Sequence, residues 1–404
     1  MLNIGIIGYG VRIDMLMDNL FDLGKEVRIK AVADIDPERV KALMTKSVSE
    51  KVRYDLELDK IDAKLRTCKM NPETITFYTD AVEMLDKEAL DGVMIGTKCN
   101  THAAFAKLVL DRGIPLFLEK PVGVCQEDLD LLKACAKTTK SPVVVSFPLR
   151  VTNIVQEAKR IIDAGTIGKV DHVQAFNDVG YGFVYYHDWY RDESISHGLF
   201  LQKATHDVDV INYLVGENPT SVCAMKSKQI FKGDMPAGLR CGKCEKQYTC
   251  MESSYNITNA RNDTPRSDWC CYAKDTGNED SGTLIMRYES GMHAMYSQNF
   301  FARKGAARRG ARLYGYKGTL EFDFVTQKIT VYDHMSDKVT HIDIPIPAKG
   351  HGGGDTALMK NFVELMEGSA KASVASLEDG IKSAQVCLSA KKSSEQDVFE
   401  AITL

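Results

Sequence analysis

The sequence lacks a hydrophobic run long enough to cross a bilayer, since no apolar stretch among its 404 residues reaches the roughly 18 that a transmembrane helix needs. No signal peptide is expected either, because the opening segment MLNIGIIGYG is too short, too rich in glycine and has no basic n-region. These residues instead predict a strand that begins almost at Met1. The two absences predict a cytoplasmic protein with no membrane partner.

An excess of charge of either sign is missing as well. The chain has 51 basic and 55 acidic residues, which gives a formal net charge of −4. Binding to nucleic acid needs a basic surface, so no nucleic-acid partner is expected, and the near balance fits a small uncharged substrate. The 44% of hydrophobic residues is ordinary for a globular chain, and the length predicts two or three domains.

The first third of the chain alternates short apolar strands with helical patterns, which predicts βαβ units and a parallel sheet. The predicted strands are Leu2–Ile7, Arg28–Ala33, Gly92–Ile95, Pro115–Leu118 and Pro142–Phe147. The charged segment Lys46–Thr74 is longer than an ordinary connection and is interpreted as a helical insertion.

Beyond residue 148 the pattern changes to strands with period-two alternation, and the end of the chain, Asp355–Leu404, is mainly helical. The predicted fold class is therefore α/β. A doubly wound parallel sheet is expected in residues 1–148, and an α+β domain with a large, mostly antiparallel open sheet in residues 149–404. A polar, cysteine-rich insertion is placed at about residues 231–281.

Gly8-Tyr9-Gly10 stands between the first predicted strand and the helix after it. Glycines in this spacing let a diphosphate approach the backbone and the free N–H groups of a helix start. Asp34 ends the second strand, where a carboxylate can accept both ribose hydroxyls and repel a 2′-phosphate, so NAD is favoured over NADP. A plain tight turn and a helix cap at Asp34 are the alternatives. Ile13 takes the third glycine position of the fingerprint, which predicts looser packing there.

Glu119-Lys120-Pro121 follows the fourth apolar strand. Ligands of parallel sheets bind outside the carboxyl ends of the strands, so the Lys120 side chain is expected to point into that crevice. Its ammonium group could hold a substrate hydroxyl and stabilise alkoxide character, whereas alone it would be an ordinary surface lysine.

In combination these motifs resemble the Gfo/Idh/MocA oxidoreductases. The resemblance covers most of the chain and rests on Gly8-Tyr9-Gly10, Ala33-Asp34, Gly96-Thr97 with Asn100 and His102, Glu119-Lys120-Pro121, Gly165-Thr166-Ile167-Gly168-Lys169-Val170 and Thr205-His206-Asp207-Val208-Asp209. It implies a Rossmann domain followed by a domain whose open sheet often mediates homodimers or homotetramers. It also implies NAD(P)-dependent oxidation or reduction of a sugar or cyclic polyol at a CH–OH group.

The resemblance also implies roles for single residues. Lys120 and His206 match the residues that serve the reacting hydroxyl, and an imidazole can accept its proton while hydride leaves the same carbon. The residues expected to bind the cofactor are Gly8, Tyr9, Gly10, Val11, Arg12, Asp34, Gly96, Thr97, Asn100, His102, Glu119 and Lys120.

One departure from the family lies four residues before His206. Many polyol dehydrogenases of the family have an aspartate there, whereas this chain has Gln202, followed by Lys203. Residues four apart share one helical face, so Gln202 is expected to hydrogen-bond near His206 or the substrate without acting as a base. Lys203 would disfavour protonation of a nearby histidine or attract an anionic substrate.

An aromatic loop at residues 181–191 and a glycine-rich segment at residues 350–355 are further candidates for contact with substrate. Aromatic faces edged by polar groups suit carbohydrate, and glycines permit close approach of backbone to a ligand, although packing between domains and a plain turn would also explain the two segments. The residues expected to bind the substrate are Lys120, Arg150, Tyr186, Arg191, Gln202, Lys203, His206 and His351.

Eleven cysteines are too sparse for a disulfide scaffold in a chain of this length, but five of them lie within 31 residues. Cys241, Cys244, Cys250 and Cys270 supply the ligand count of a structural zinc site, with Cys270 preferred to its neighbour Cys271. A metal would order a segment that lacks apolar periodicity. Free thiols and an iron–sulfur cluster are the alternatives.

Three functions are compatible with these patterns. The leading one is an NAD-dependent oxidoreductase acting on a sugar or cyclic polyol. The second is an NAD-dependent glycosidase that oxidises its substrate transiently and cleaves it by elimination, which Gln202 and the His-Gly-Gly segment favour. The third is a regulator without enzymatic activity that senses a sugar or nucleotide, against which Lys120 and His206 argue.

Overall fold

Two β-sheets and the helices that cover them make up the described part of the chain. The structure is a computed structural model that describes residues 1–45, 70–261, 267–345 and 351–404. The predicted helical insertion Lys46–Thr74 therefore lies mostly outside the described residues. Of its described part, residues 70–74, Pro72–Thr74 form one 3-10 turn.

The first sheet has six parallel strands in the order β3-β2-β1-β4-β5-β6. The strands are β1 Leu2–Ile7, β2 Val27–Ala33, β3 Thr76–Tyr78, β4 Gly92–Ile95, β5 Leu116–Leu118 and β6 Val143–Val145. The helices of this half are α1 Val11–Phe21, α2 Pro37–Thr45, α3 Ala81–Lys87, α4 His102–Leu110 and α5 Gln126–Thr138. Because helices cover a parallel sheet on both faces, its inner strands consist of apolar residues, and β4 and β5 are buried along their whole length. The predicted parallel sheet is confirmed.

The second sheet has nine strands in the order β14-β13-β12-β11-β7-β10-β9-β8-β15. The strands are β7 Val170–Asp178, β8 Pro219–Ser227, β9 Ser281–Tyr288, β10 His293–Asn299, β11 Arg308–Gly315, β12 Gly318–Asp323, β13 Lys328–Asp333, β14 Val339–Asp343 and β15 Glu400–Ala401. Only β7 and β10 pair in parallel, so the predicted mostly antiparallel sheet is confirmed.

Four longer helices lie in the second half of the chain. They are α6 Asn153–Asp163, α7 Thr205–Val215, α8 Gly354–Met366 and α9 Leu377–Gln396. Helix α8 returns to the first sheet, where the ring of Phe362 meets that of Phe117 at 5.8 Å between centroids. No described helix is both long enough and apolar enough to pass through a membrane.

The carboxyl ends of the first sheet's central strands face the start of α7. A π-helical turn, Phe200–Ala204, leads directly into that helix. Lys120, just beyond β5, donates a hydrogen bond of 2.6 Å to the carbonyl oxygen of Gln202 in this turn. The two sheets therefore bring the predicted catalytic motifs into one crevice.

Candidate active site

The turn after β1 has the shape that a diphosphate requires. Gly8 has a φ of +78°, and a Cβ there would lie 2.4 Å from Thr97 Cγ2, so only glycine fits. A Cβ at Gly10 would meet nothing closer than 3.7 Å, and no side chain caps the start of α1. The backbone N–H groups of this helix start are thus open to an anionic ligand.

Ile13 takes the third glycine position of the fingerprint, and Gly96 makes room for it. A Cβ at Gly96 would lie 2.1 Å from Ile13 Cγ1, so the bare backbone of Gly96 makes the room that the isoleucine needs. Ile13 is fully buried. The prediction of looser packing at Ile13 is therefore wrong. Gly96, at the facing strand end, provides the space that a glycine at the third fingerprint position would otherwise provide.

Asp34 lies at the end of β2, as a ribose-binding carboxylate should. One of its oxygens accepts the backbone N–H of Tyr9 at 2.8 Å, and the other accepts that of Asp36 at 3.0 Å. Arg39 approaches the same carboxylate at 3.5 Å. The carboxylate is fixed beside the glycine turn, and the residues present fit an NAD diphosphate and ribose.

Lys120 and His206 occupy the same crevice. Burial and, to a smaller extent, the charge of Lys203 lower the pKa of Lys120 to about 8. Burial also lowers the pKa of His206 well below its ordinary value, and the charges of Lys120 and Arg309 act in the same direction. His206 is therefore a neutral imidazole at neutral pH, and its buried Nδ1 has no hydrogen-bond partner among the described residues.

The side chain of Gln202 does not reach His206. Its amide nitrogen donates to the carbonyl oxygen of Ser196 at 2.9 Å and to Cys99 Sγ at 3.0 Å. The physical reason is the π-helical turn, whose wider winding breaks the rule that residues four apart share a face. Gln202 instead serves the site through its backbone, which holds Lys120.

Lys203 does face the site, and it meets Tyr181. Its ammonium donates a hydrogen bond to the Tyr181 hydroxyl and lies 4.7 Å from the centre of the same ring. Partial desolvation alone would raise the pKa of Tyr181, but the charges of Lys203 and Arg309 outweigh it and bring this pKa to about 8. Tyr181 was not among the predicted substrate residues, although it opens the predicted aromatic loop.

A buried network supports the helix that carries His206. Asp207 accepts hydrogen bonds from Arg309 at 2.7 and 3.0 Å, from Asn177 at 3.0 Å and from Tyr296 at 2.9 Å. Only Asp207 had a sequence signal, its place in the motif next to His206. No local pattern marks the other three, because they come from distant strands.

Arg12 and Glu119 connect the cofactor turn to helix α8. The Arg12 guanidinium binds Glu119 at 3.0 Å and both oxygens of Asp355, the closer at 2.5 Å. His351 binds Asp355 at 2.9 Å through Nδ1, and a positive charge on its ring would lower the pKa of His206. His351 thus lies at the edge of the site, while Arg12 joins the two halves of the molecule.

The remaining residues predicted to bind the cofactor take several positions. The Tyr9 ring is buried, with its hydroxyl donating to Asp14 at 2.7 Å, whereas Val11 and Asn100 are exposed. His102 is buried between the carbonyl oxygens of Pro121 and Thr97. It therefore ties the Thr97 loop to the Lys120 segment.

Three residues predicted to bind substrate are engaged elsewhere. Arg150 is buried in ion pairs with Asp209 and Asp379. The remaining two belong to the aromatic loop: the Tyr186 hydroxyl donates to the carbonyl oxygen of Glu279, and Arg191 binds Asp275 with both terminal nitrogens. Both guanidinium groups are buried and ion-paired, which is typical of arginines that stabilise the fold.

The clustered cysteines also come together. Cys241, Cys244, Cys250, Cys270 and Cys271 line one cavity of about 20 Å³, and all are free thiols. Within the described ranges, however, no three His, Cys, Asp or Glu side chains are arranged as they would be around a bound metal. The fold therefore brings the predicted ligands to one cavity, but their side chains are not arranged as metal ligands.

Both halves of the chain match models of known protein families. Two family models match the chain, "Oxidoreductase family, NAD-binding Rossmann fold" at residues 2–147 and "GFO/IDH/MocA C-terminal domain" at residues 155–321. The Bacillus subtilis protein YteT, named only as an oxidoreductase, is 26% identical over 326 residues, which are 71% of this chain and 75% of that protein.

Two further similarities concern proteins with named substrates. The scyllo-inositol 2-dehydrogenase (NAD(+)) of B. subtilis is 32% identical over 151 residues, 35% of this chain and 40% of that relative. A levoglucosan dehydrogenase solved with NADH has the same fold, with a TM-score of 0.74 at 18% identity, covering 100% of this chain and 99% of that one. On the matches to both halves, this chain belongs to the Gfo/Idh/MocA oxidoreductases and carries their NAD-binding Rossmann domain.

Proposed function

We propose that this oxidoreductase transfers hydride between NAD and a CH–OH carbon of a sugar or cyclic polyol. The observation that carries the proposal is the convergence of Lys120 and a neutral His206 in the crevice beside the glycine turn. The activities named for the inositol and levoglucosan dehydrogenases support the same substrate class. The carboxylate of Asp34 favours NAD over NADP, because it would repel a 2′-phosphate.

The two side chains divide the work at the hydroxyl. Neutral His206 accepts the hydroxyl proton, and the ammonium of Lys120 donates a hydrogen bond to the oxygen as negative charge develops on it. Gly8, Gly10 and Asp34 would hold NAD, which when bound supplies the acceptor for the hydride. The carbonyl oxygen of Gln202 keeps the Lys120 ammonium in position throughout.

A single assay tests the proposal. The purified protein is incubated with NAD and a panel of inositols, aldoses and aryl glycosides, and NADH and released aglycone are both measured. Stoichiometric NADH supports the proposed function. Aglycone without net NADH would favour the glycosidase, and NAD binding without either product would favour a regulator.

We also propose that Cys241, Cys244, Cys250 and Cys270 bind a structural zinc ion. These four residues line one small cavity, and four cysteines are the usual ligand set of a structural zinc ion. The segment is connected to the aromatic loop, since the carbonyl oxygen of Trp269 accepts a hydrogen bond from His187 Nδ1 at 2.6 Å. Zinc would therefore stabilise the wall of the site without taking part in the chemistry.

For this metal we expect about one zinc per chain in elemental analysis of the wild type, and a clear loss in Cys244→Ser. Cys223→Ser, in strand β8, is the matched control and should keep its zinc. Chelation should lower the melting temperature of the wild type and of Cys223→Ser, but not that of Cys244→Ser. Equal zinc in both variants, or iron with visible absorbance, would contradict the proposal.

We further propose that the open face of the second sheet forms a homo-oligomer. Ile285 of β9 lies opposite Met295 of β10, and Met225 of β8 lies on the same face beside them. These three side chains are 45%, 36% and 75% exposed, which leaves an apolar patch without a described partner.

This interface predicts a dimer or tetramer in size-exclusion chromatography with light scattering. Met295→Lys should shift the mass toward the monomer, because a charge would have to be buried at the interface. Met335→Lys, in an exposed turn between β13 and β14, is the matched control. A monomeric wild type would refute the interface.

We propose that the protein resides in the cytoplasm, because its described cysteines are free thiols. All ten cysteines that the structure describes are free, which fits a reducing compartment.

A further inference from the structure

Lys120 and Lys203 form a pair of cations in one crevice without a carboxylate between them. Lys203 is 4% exposed, and the charges of the two groups act on each other. Within the described ranges, neither ammonium forms an ion pair with an Asp or Glu side chain. Buried charges in proteins are ordinarily paired, so this arrangement is costly unless a ligand supplies the counter-charge.

The two carboxylates that act on these lysines both form ion pairs with arginines. Asp207 receives two hydrogen bonds from Arg309, together with those of Asn177 and Tyr296. Glu119 receives the Arg12 guanidinium. Glu119 still attracts Lys120, and Asp207 attracts Lys203, but each acid is ion-paired with an arginine and neither forms an ion pair with a lysine.

The two lysines also keep free hydrogen-bond donors. Each ammonium has three N–H donors, but Lys120 uses one on the Gln202 carbonyl oxygen and Lys203 one on the Tyr181 hydroxyl. The faces of Tyr181 and Tyr185 lie 4.7 and 6.0 Å from the Lys203 ammonium and hold it over the crevice. Donors therefore remain for at least two acceptor groups of a bound molecule.

We infer that the substrate is a polyol that bears a carboxylate, with Lys203 binding the carboxylate while Lys120 and His206 act on the hydroxyl. This inference rests on the proposed dehydrogenase function and names its substrate class. One cation is needed for the developing alkoxide, which leaves one to match a single negative charge. A monoanionic carboxylate fits that charge better than a phosphate dianion, because the third cation of the site, Arg309, is already neutralised by Asp207.

The test compares substrates that differ only in the carboxylate. NADH formation is measured for D-glucuronate against D-glucose and for D-galacturonate against D-galactose, with inositols and D-glucose 6-phosphate in the same panel. The expected wild-type result is a higher kcat/KM for the acid in at least one pair. In Lys203→Met the preference for the acid should fall about ten- to hundredfold, mainly through KM, because a charged hydrogen bond is lost.

Two variants accompany the measurement. Lys203→Arg keeps the charge and should retain much of the preference, whereas Lys107→Met removes a partly exposed lysine from α4 and should change nothing. The ratio of acid to neutral substrate is the decisive readout, since a general folding defect would lower both members of a pair together.

The possible outcomes distinguish a failure of the inferred carboxylate substrate from a failure of the proposed dehydrogenase function. Oxidation of neutral polyols with no preference for acids, or a preference for the phosphate ester, would overturn the inference and leave the dehydrogenase standing. An acid preference that Lys203→Met leaves unchanged would also overturn it. No NADH from any substrate would refute the dehydrogenase itself, and the inference with it.

Discussion

Replacing His206 by asparagine is expected to lower kcat by about 10²–10⁴, the usual contribution of a positioned general base. Asparagine keeps a polar side chain in the crevice but cannot accept the hydroxyl proton. NADH binding, followed by fluorescence, should remain close to that of the wild type, because the glycine turn and Asp34 lie in the first sheet. The loss is therefore expected in the chemical step.

The pH dependence of the wild type should reflect the same two groups. The pKa of His206 lies well below its ordinary value, so the imidazole stays neutral and the rate should not fall as pH drops from 7 to about 6. The pKa of Lys120 is lowered to about 8, so its ammonium loses the proton as pH rises through that value. If the charged lysine stabilises the alkoxide, kcat/KM for oxidation should fall above about pH 8.

The matched control for His206→Asn is His341→Asn. His341 is an exposed residue on β14, and its replacement should leave the activity unchanged. If His206→Asn retained more than half of the wild-type kcat, His206 would not be the base. An acid limb near the ordinary histidine pKa would equally contradict a buried, neutral imidazole.

The sequence was sufficient to predict the fold and to place Lys120 and His206 in one crevice. Both depend on local signals: apolar runs such as Gly92–Ile95 predict buried strands, and Lys120 and His206 lie within short motifs at strand and helix ends. Such signals survive because the carboxyl ends of parallel strands always meet at one edge of the sheet. The gathering of the clustered cysteines around one cavity follows the same logic of close spacing.

The remaining features depend on contacts between distant residues. The role expected for Gln202 failed because a π-helical turn changes the helical register, and no residue pattern announced that turn. The sequence indicated Arg191 as a hydrogen-bond donor to a sugar. In the structure its guanidinium instead binds Asp275, which lies 84 residues away in the sequence. Sequence reveals which residues have the right chemistry, but it does not reveal which of them are already occupied.

Replacing Lys120 by methionine should lower kcat by about 10²–10³, the range measured when one donor to a developing oxyanion is removed. Methionine matches the length of the lysine stem, so the variant tests the ammonium rather than the packing around it.

The loss in Lys120→Met should appear with every oxidised substrate, acidic or neutral, whereas Lys203→Met should discriminate between them. Lys140→Met, at an exposed position after α5, is the matched control and should behave as the wild type.

The alkaline limb of the pH profile should also disappear in Lys120→Met, because the group that titrates near pH 8 is gone. Persistence of that limb would assign it to another group, for which Tyr181 is the candidate since its pKa is also brought to about 8. Full turnover by Lys120→Met would remove the lysine from the reaction and, with it, the division of work between Lys120 and His206.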